Sequence, residues 1–326
     1  MPALARSMAL CAAFIVGVAS PSSAQPATKF PERPVRFVLP YGPGGVADVT
    51  TRLIAQKLSE SMGQNFVIEN KPGAGGILAA KSVLSSPADG YTYFLTGNAS
   101  AINQSLFKTK PHNVLVDFTP VATLAEFEML LVTKANSQLD TIDKLVAQAN
   151  AHPGKLNFGT ISLGSTQNLS AEMFRMTTGV NVTLVTYRTT PELVTAIVRG
   201  DIDVGFDYLA AFNPTISSNQ IKVIATSGDH PNPQLPGVPT VKDSGYPAYV
   251  VTSWNALSGP AGVPNEIVTK LSSGIQAVLK LPDVKDRMAA LGMEPMLGTP
   301  EQLHERMKRD IEKWRVVIDK AGIPKQ

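Results

Sequence analysis

The chain has 326 residues, of which 44% are hydrophobic and 17% charged, with a formal net charge of +3. That length and composition suit a globule with a sizeable core and room for two ordinary domains. The near-balanced charge, without a run of five or six basic residues, argues against nucleic acid or an anionic membrane surface as a partner.

Residues 1–24 read as a secretory signal. Arg6 gives a positive start, residues 8–19 an apolar stretch, and Ser22-Ser-Ala24 the small residues of a cleavage site. The apolar stretch falls short of the roughly 20 residues that a membrane span needs. A lipid anchor on Cys11 is disfavoured because Leu10 stands where a small residue is expected. Cleavage after Ala24 removes Arg6 and Cys11, so the charge falls from +3 to +2 and no cysteine remains. The mature chain then carries neither a disulfide nor a thiol nucleophile, which suits a periplasmic location.

From residue 35 onward, short apolar runs alternate with helical periodicity. Strands are predicted at 35–39, 65–69 and 92–95, with helices at 46–62 and 76–84 between them. The alternation resumes with strands at 128–132, 156–159, 182–185, 204–206 and 222–225, and helices at 141–151, 166–177 and 191–199. Such a pattern argues for parallel βαβ units and an α/β class. The tail is helical at 264–279, 282–291 and 300–321, each helix opening at a proline, with a further strand at 254–257. A lone tail leaves its apolar stripe uncovered, so it is expected to pack back on a block, most simply the first. One domain is then discontinuous, 25–125 plus 227–326, and the other is 126–226. Two chain crossings between domains imply a hinge and a cleft, and ligand sites favour such interfaces.

The segment Pro40-Tyr-Gly-Pro-Gly-Gly-Val-Ala-Asp48 lies between the first strand and the first helix. Gly42, Gly44 and Ala47 fit the dinucleotide pattern G-x-G-x-x-A, and Glu69 ends the next strand where a ribose-binding acid would stand. An exported protein has no obvious nicotinamide supply, however, and no proton-transfer group presents itself downstream. His112, His152, His230 and His304 are expected to be solvated surface residues. A free carboxylate asks less of the segment. Main-chain N–H groups at a glycine turn, backed by a helix N-terminus, hold such a group without a lysine. Asp48 would either fix the loop or simply complement the helix end.

A second loop of the same kind, Gly159-Thr-Ile-Ser-Leu-Gly-Ser-Thr166, precedes the helix of the other block. Ser162, Ser165 and Thr166 are candidate helix caps as well as candidate ligand contacts. No G-x-S-x-G elbow and no metal-ligand spacing is present.

Several longer motifs stand in order along the chain. They are Phe30-Pro-Glu-Arg-Pro34, Pro40-Tyr-Gly-Pro-Gly-Gly45 with Asp48, Val67-Ile-Glu-Asn-Lys-Pro-Gly-Ala-Gly-Gly76, Pro87-Ala-Asp-Gly-Tyr91, Pro153-Gly-Lys-Leu-Asn-Phe158, Gly200-Asp-Ile-Asp-Val204 with Asp207, and Leu235-Pro-Gly-Val-Pro-Thr240. Through them nearly the whole mature chain resembles the periplasmic solute-binding proteins of tripartite tricarboxylate transporters, the Bug family. The resemblance implies a two-lobed, type II periplasmic-binding fold with a ligand cleft between lobes, and a receptor rather than an enzyme. It implies a small organic acid held by loops of both lobes and handed to membrane transporter subunits, with no cofactor, no metal and a monomeric chain. Carried onto this sequence it implicates Tyr41, Gly42, Gly44, Gly45 and Asp48 on one side and Ser162, Gly164, Ser165 and Thr166 on the other. Asn98 and Tyr187 would add side-chain contacts, with Asp207 at the cleft's edge.

Gly42, Ser162, Asn168 and the segment Thr186-Tyr-Arg-Thr-Thr190 depart from the family's usual residues, which leaves the ligand's identity open. Arg188 is either a two-pronged partner for a second carboxylate or a surface arginine in a turn. An aromatic or an aliphatic mono- or dicarboxylate would suit Tyr41, Tyr187 and Phe206. The rival classes are a secreted α/β enzyme, nucleotide-dependent or hydrolytic, and a periplasmic sensor that signals to a membrane kinase.

Overall fold

The computed structural model of the chain describes residues 29–326; the expected signal segment lies outside them. The first block runs β1 (Val35–Leu39), α1 (Val46–Met62), β2 (Phe66–Asn70), α2 (Ile77–Leu84), β3 (Thr92–Gly97) and α3 (Asn98–Leu106). β1 is buried at four of its five positions, as befits a parallel strand covered on both faces, and it pairs in parallel with β2 and β3. α1 stops at Gly63, whose φ of 71° permits the left-handed cap.

A single long strand, β4 (Phe118–Lys134), follows. The second block then runs α4 (Ile142–Ala151), β5 (Asn157–Ile161), α5 (Thr166–Thr178), β6 (Thr183–Tyr187), α6 (Thr190–Arg199), β7 (Val204–Tyr208), α7 (Leu209–Ser217) and β8 (Ile221–Thr226). β5 is parallel to both β6 and β7. The chain returns through β9 (Thr252–Pro260), α8 (Asn265–Leu279), α9 (Pro282–Ala289), the two-residue β10 (Glu294–Pro295) and α10 (Pro300–Ala321).

The strand order is β2-β1-β3-β9-β4-β7-β5-β6, with β8 and β10 also on β4. β4 holds the two halves together. From Phe118 to Glu128 it pairs with β9, and from Met129 onward with β7 and β8. At about 3.3 Å per residue its 17 residues span about 55 Å, long enough to serve two sheets. The run 128–132 marked only part of this strand, toward its C-terminal end. The stretch before it carries Pro120, Glu126 and register shifts at 120/122 and 123/125 that break the apolar pattern.

α10 differs from expectation. It is fixed at its start by a capping box between Thr299 and Gln302, and it packs on α3, β4 and also α5. Trp314, Val317 and Ile318 share one buried cluster with Val38 and Phe94 of the first block and Phe158, Leu169 and Phe206 of the second. The tail therefore packs on both blocks rather than on the first alone. α1 and α8 meet on the opposite side of the first sheet, over Phe37, Leu39, Leu257 and Leu271. The helices α3 and α7 went unread because their polar and small residues give little apolar periodicity.

His112 is a second correction. It is only 6% exposed, edge-on to Phe118 at 5.6 Å, and neither ring nitrogen has a hydrogen-bond partner. The apolar turn Val114–Phe118 closes over it, which the neighbouring Pro111 concealed. Burial pushes its pKa below the ordinary 6.5, against a smaller opposing pull from Asp117. The unfolded chain thus takes up the proton first, and stability is lost as pH falls from 6.5 toward the lowered folded value. Replacing His112 with leucine should flatten urea-unfolding free energy against pH in that window; an unchanged slope would show that the ring is not the titrating group.

Candidate functional site

The two glycine loops are built on one plan. Loop 1 links β1 to α1, and loop 2 links β5 to α5. Gly44 has a φ of 84° and Gly164 a φ of 77°, so both need a residue at ease in the left-handed region. At Gly164 a Cβ would also meet the Leu106 side chain at 2.9 Å. In each loop the glycine N–H donates to the side chain four residues on. Gly44 N–H reaches Asp48 Oδ2 at 2.9 Å, and Gly164 N–H reaches Asn168 Oδ1 at 3.1 Å.

Asp48 is 2% exposed and fully engaged with its own lobe. Arg52 Nε donates to Oδ2 and its Nη2 pairs with Oδ1, both at 2.9 Å. Asn70 Nδ2 donates to Oδ1 at 2.9 Å and to the Tyr41 carbonyl at 3.0 Å. Burial alone would raise the Asp48 pKa, but Arg52, the Gly44 N–H and Asn70 outweigh it and hold the carboxyl below 3.8. Asp48 is therefore the clasp of loop 1. α1 then begins at Gly45, which offers no side-chain cap, so no hydroxyl or amide of its N-cap covers the first amides of the helix.

In loop 2, Ser165 is spent on its own helix: its Oγ accepts from Asn168 N at 3.1 Å and donates to the Ile161 carbonyl at 2.5 Å. Ser162 is exposed and sits at a φ of 29°, strained for a side-chain-bearing residue. Its N–H donates to the Tyr187 carbonyl at 2.9 Å, so Tyr187 supports the loop through its main chain. Arg188 is exposed, and only its main-chain N–H is engaged, by Glu192 at 3.0 Å. Asp207 is 2% exposed and accepts from Gln167 Nε2 at 2.9 Å, Thr190 Oγ1 at 2.8 Å and Tyr208 N at 2.9 Å. Burial raises its pKa, and these three donors pull part of the way back.

Tyr208 brings the two sides together. Burial drives the Tyr208 phenol pKa above the ordinary value, with the Asp207 and Tyr41 charges adding to the rise and the Ser253 and Thr166 hydroxyls pulling part of the way back. Its ring stands edge-on to Phe127 at 4.8 Å. Tyr41 and Ser253 belong to the first block, and Thr166, Asp207 and Tyr208 to the second. Asn98 Nδ2 donates to the Thr252 carbonyl at 3.0 Å beside them. Gly42 and Gly45 lie on the partly open rim of loop 1.

Sequence reasoning passed over Arg52, Asn70, Phe127, Tyr208 and Ser253. Asn168 was noted only as a departure from the family's usual residue, although it repeats the glycine-plus-four spacing of Asp48. Glu69, the candidate ribose ligand, is bound by Arg36 at 3.0 Å and Lys71 at 2.9 Å. Among the described residues no three His, Cys, Asp or Glu side chains gather as a metal site, and no helix is long and apolar enough to cross a membrane. Cavities of about 730 and 310 Å³ lie elsewhere, between α8 and α10 and beside α9, and neither includes a residue of the two loops.

Two α/β lobes joined through β4, each with a glycine loop that opens a helix, define a protein of the two-lobed periplasmic-binding class. A family profile described as "Tripartite tricarboxylate transporter family receptor" matches residues 50–323. Protein BugT of Bordetella pertussis is 32% identical over 323 residues, covering 98% of each chain. Among solved structures, the R. palustris protein Rpa4515 with adipate is 33% identical with a TM-score of 0.79, covering 90% of this chain and 98% of that one. MatC from Rhodopseudomonas palustris, with bound malate, is 29% identical with a TM-score of 0.75, covering 89% and 100%. The chain belongs to the tripartite tricarboxylate transporter receptor family, whose members are solute-binding receptors rather than enzymes.

Two substitutions test the loop geometry. Asp48→Ala removes the buried carboxylate that joins the Gly44 N–H, Arg52 and Asn70, and should cost about 1–3 kcal/mol in urea unfolding. Because the Asp48 pKa is depressed, its contribution is complete above the unfolded value near 3.8 and fades as pH falls through the lower folded value. Loss of the wild-type acid sensitivity in the variant is the accompanying signature. Ser162→Gly should leave the fold intact and raise stability by up to about 1 kcal/mol, since strain relief exceeds the added freedom of the unfolded chain. A fall in the melting temperature would contradict the strained backbone.

Proposed function

We propose that the mature chain is a periplasmic receptor that captures a small organic carboxylate and delivers it to the membrane subunits of a tripartite transporter. What supports this is a pair of like-built loops, each a left-handed glycine whose N–H is held by the side chain four residues on at the start of a helix, α1 in one block and α5 in the other. Each helix end concentrates about half a positive charge on amides that point outward. One carboxylate held by both stabilises the closed arrangement, which makes binding a closure of lobe on lobe.

In this reading Gly45 and Thr166 offer main-chain donors, Gly44 sets the turn of loop 1, and Tyr41 and Tyr187 offer aromatic walls. Asp48, Ser162, Gly164 and Ser165 shape the loops. Arg188 serves at the rim and Asp207 braces loop 2. The lobes divide as 25–125 plus 227–326 and 126–226, residues 1–24 are removed on export, and the receptor acts as a monomer. Binding of adipate and malate by related proteins of this fold supports a carboxylate as the solute.

A thermal-shift screen of aliphatic and aromatic mono-, di- and tricarboxylates tests the proposal. The right acid at a hundredfold excess over Kd adds about 2.7 kcal/mol and raises Tm by several degrees. A shift with NAD and with no acid would sink it.

A further inference from the structure

We propose that the protein takes up one proton as it binds its carboxylate, and that Asp207 receives it. The inference rests on the carboxylate-receptor reading above and adds a proton to what that site binds. It starts from a contrast between two buried carboxyls, Asp48 and Asp207, each 2% exposed. Asp48 has a cation: Arg52 closes on it in an ion pair at 2.9 Å. Asp207 has none. Its hydrogen-bond partners are Gln167 Nε2, Thr190 Oγ1 and Tyr208 N, all of them neutral.

The surroundings of Asp207 supply no positive charge from other elements. On β7 it stands opposite Leu130 of β4, and the titratable group beside it is the Tyr208 phenol, which burial keeps neutral. Gln167 reaches it from the second position of α5, and Thr190 from the first position of α6. Arg188 and Glu192, on the turn that carries Thr190, are both exposed, and the Glu192 carboxylate accepts from the Arg188 main-chain N–H.

The Gln167 side chain bonds Asp207 to the first turn of the helix whose end is read as an anion site. Ser165 caps Asn168 N, which leaves the Thr166 and Gln167 amides to the ligand. A carboxylate on those amides adds a second negative charge near a buried first one. Like charges in a poorly polarisable interior repel, and a proton on one of them removes the conflict. Ligand and proton then raise each other's affinity by the same factor.

One oxygen of Asp207 is suited to the proton. Oδ1 takes two N–H donors, from Gln167 and from Tyr208. Oδ2 meets the Thr190 hydroxyl at 2.8 Å, and a hydroxyl accepts as well as it donates. A proton drawn from water onto Oδ2 therefore keeps every one of these hydrogen bonds, with Thr190 Oγ1 turned to acceptor. Burial already raises the Asp207 pKa above the ordinary 3.8, and a bound anion raises it further. Between the free and the bound value the complex holds a proton that the free protein lacks. Affinity is accordingly highest below that window and falls as pH rises through it.

Isothermal titration calorimetry of the mature protein with adipate, malate and benzoate tests this between about pH 6 and 8, above the range of ordinary carboxyls. Runs in PIPES and in imidazole, which differ in ionisation enthalpy, count the protons. For an acid that binds, the wild-type protein should take up a proton, and Kd should rise at least about fivefold across the range. Asp207→Asn puts an N–H toward Thr190 in place of the acid proton. It should bind without proton uptake and with a Kd that does not follow pH. The wild-type proton count decides even where the variant does not fold. Binding without uptake, or uptake that persists in the variant, would overturn the inference and leave the receptor reading standing. No binding by any acid of the wider screen would overturn both.

Discussion

Everything at the site depends on one small ring: a left-handed glycine whose N–H bonds to the side chain four residues later. The ring turns the chain sharply enough that a strand end leads straight into a helix N-terminus, and it does so once in each lobe. What remains after the glycine N–H is satisfied are the first helical amides, which have no partner within the helix. The two lobes solve the same problem with different chemistry. Asn168 is neutral and needs only Thr160 beside it, at 3.4 Å, whereas the charge of Asp48 needs Arg52 and Asn70 to be buried at all. Loop 1 is accordingly the more elaborate and the more acid-sensitive of the pair.

The long strand β4 turns two separate loops into one site. It passes from the first sheet to the second without a break, and the exchange of partners between Glu128 and Met129 puts Phe127 under Tyr208. On one flank α10 fills the angle between the lobes with Trp314 and Val317, so the buried cluster is continuous across them.

How much of this the sequence disclosed follows from the kind of signal each part leaves. β1 and the loops around Gly44 and Gly164 were legible because glycine, proline and apolar runs are local features. β4 was read only at 128–132, since its pairing is set by partners up to 170 residues distant, Ala125 with Pro295 among them. Ser165 looked like a ligand contact or a cap with equal right, and only its bonds to Asn168 and Ile161 assign it to the helix. His112 shows the reverse failure, a polar residue beside proline that tertiary packing buries. Tyr208, Phe127 and Ser253 carried no motif; they matter because three strands converge, and convergence is not written in any one segment.

Neither glycine loop, 40–48 or 159–166, contains a lysine. A lysine in the cleft would attract any anion, including phosphate and chloride, and its flexible stem would tolerate many geometries. Amides fixed by a glycine ring select by direction instead: a planar carboxylate fits two converging sets of donors, and a bulkier or rounder anion does not. With attraction spread over two dipoles rather than one charge, discrimination passes to the uncharged end of the ligand, where buried groups must be matched or left unpaired. Incomplete pairing in a dry interior costs more than a missed contact at the rim.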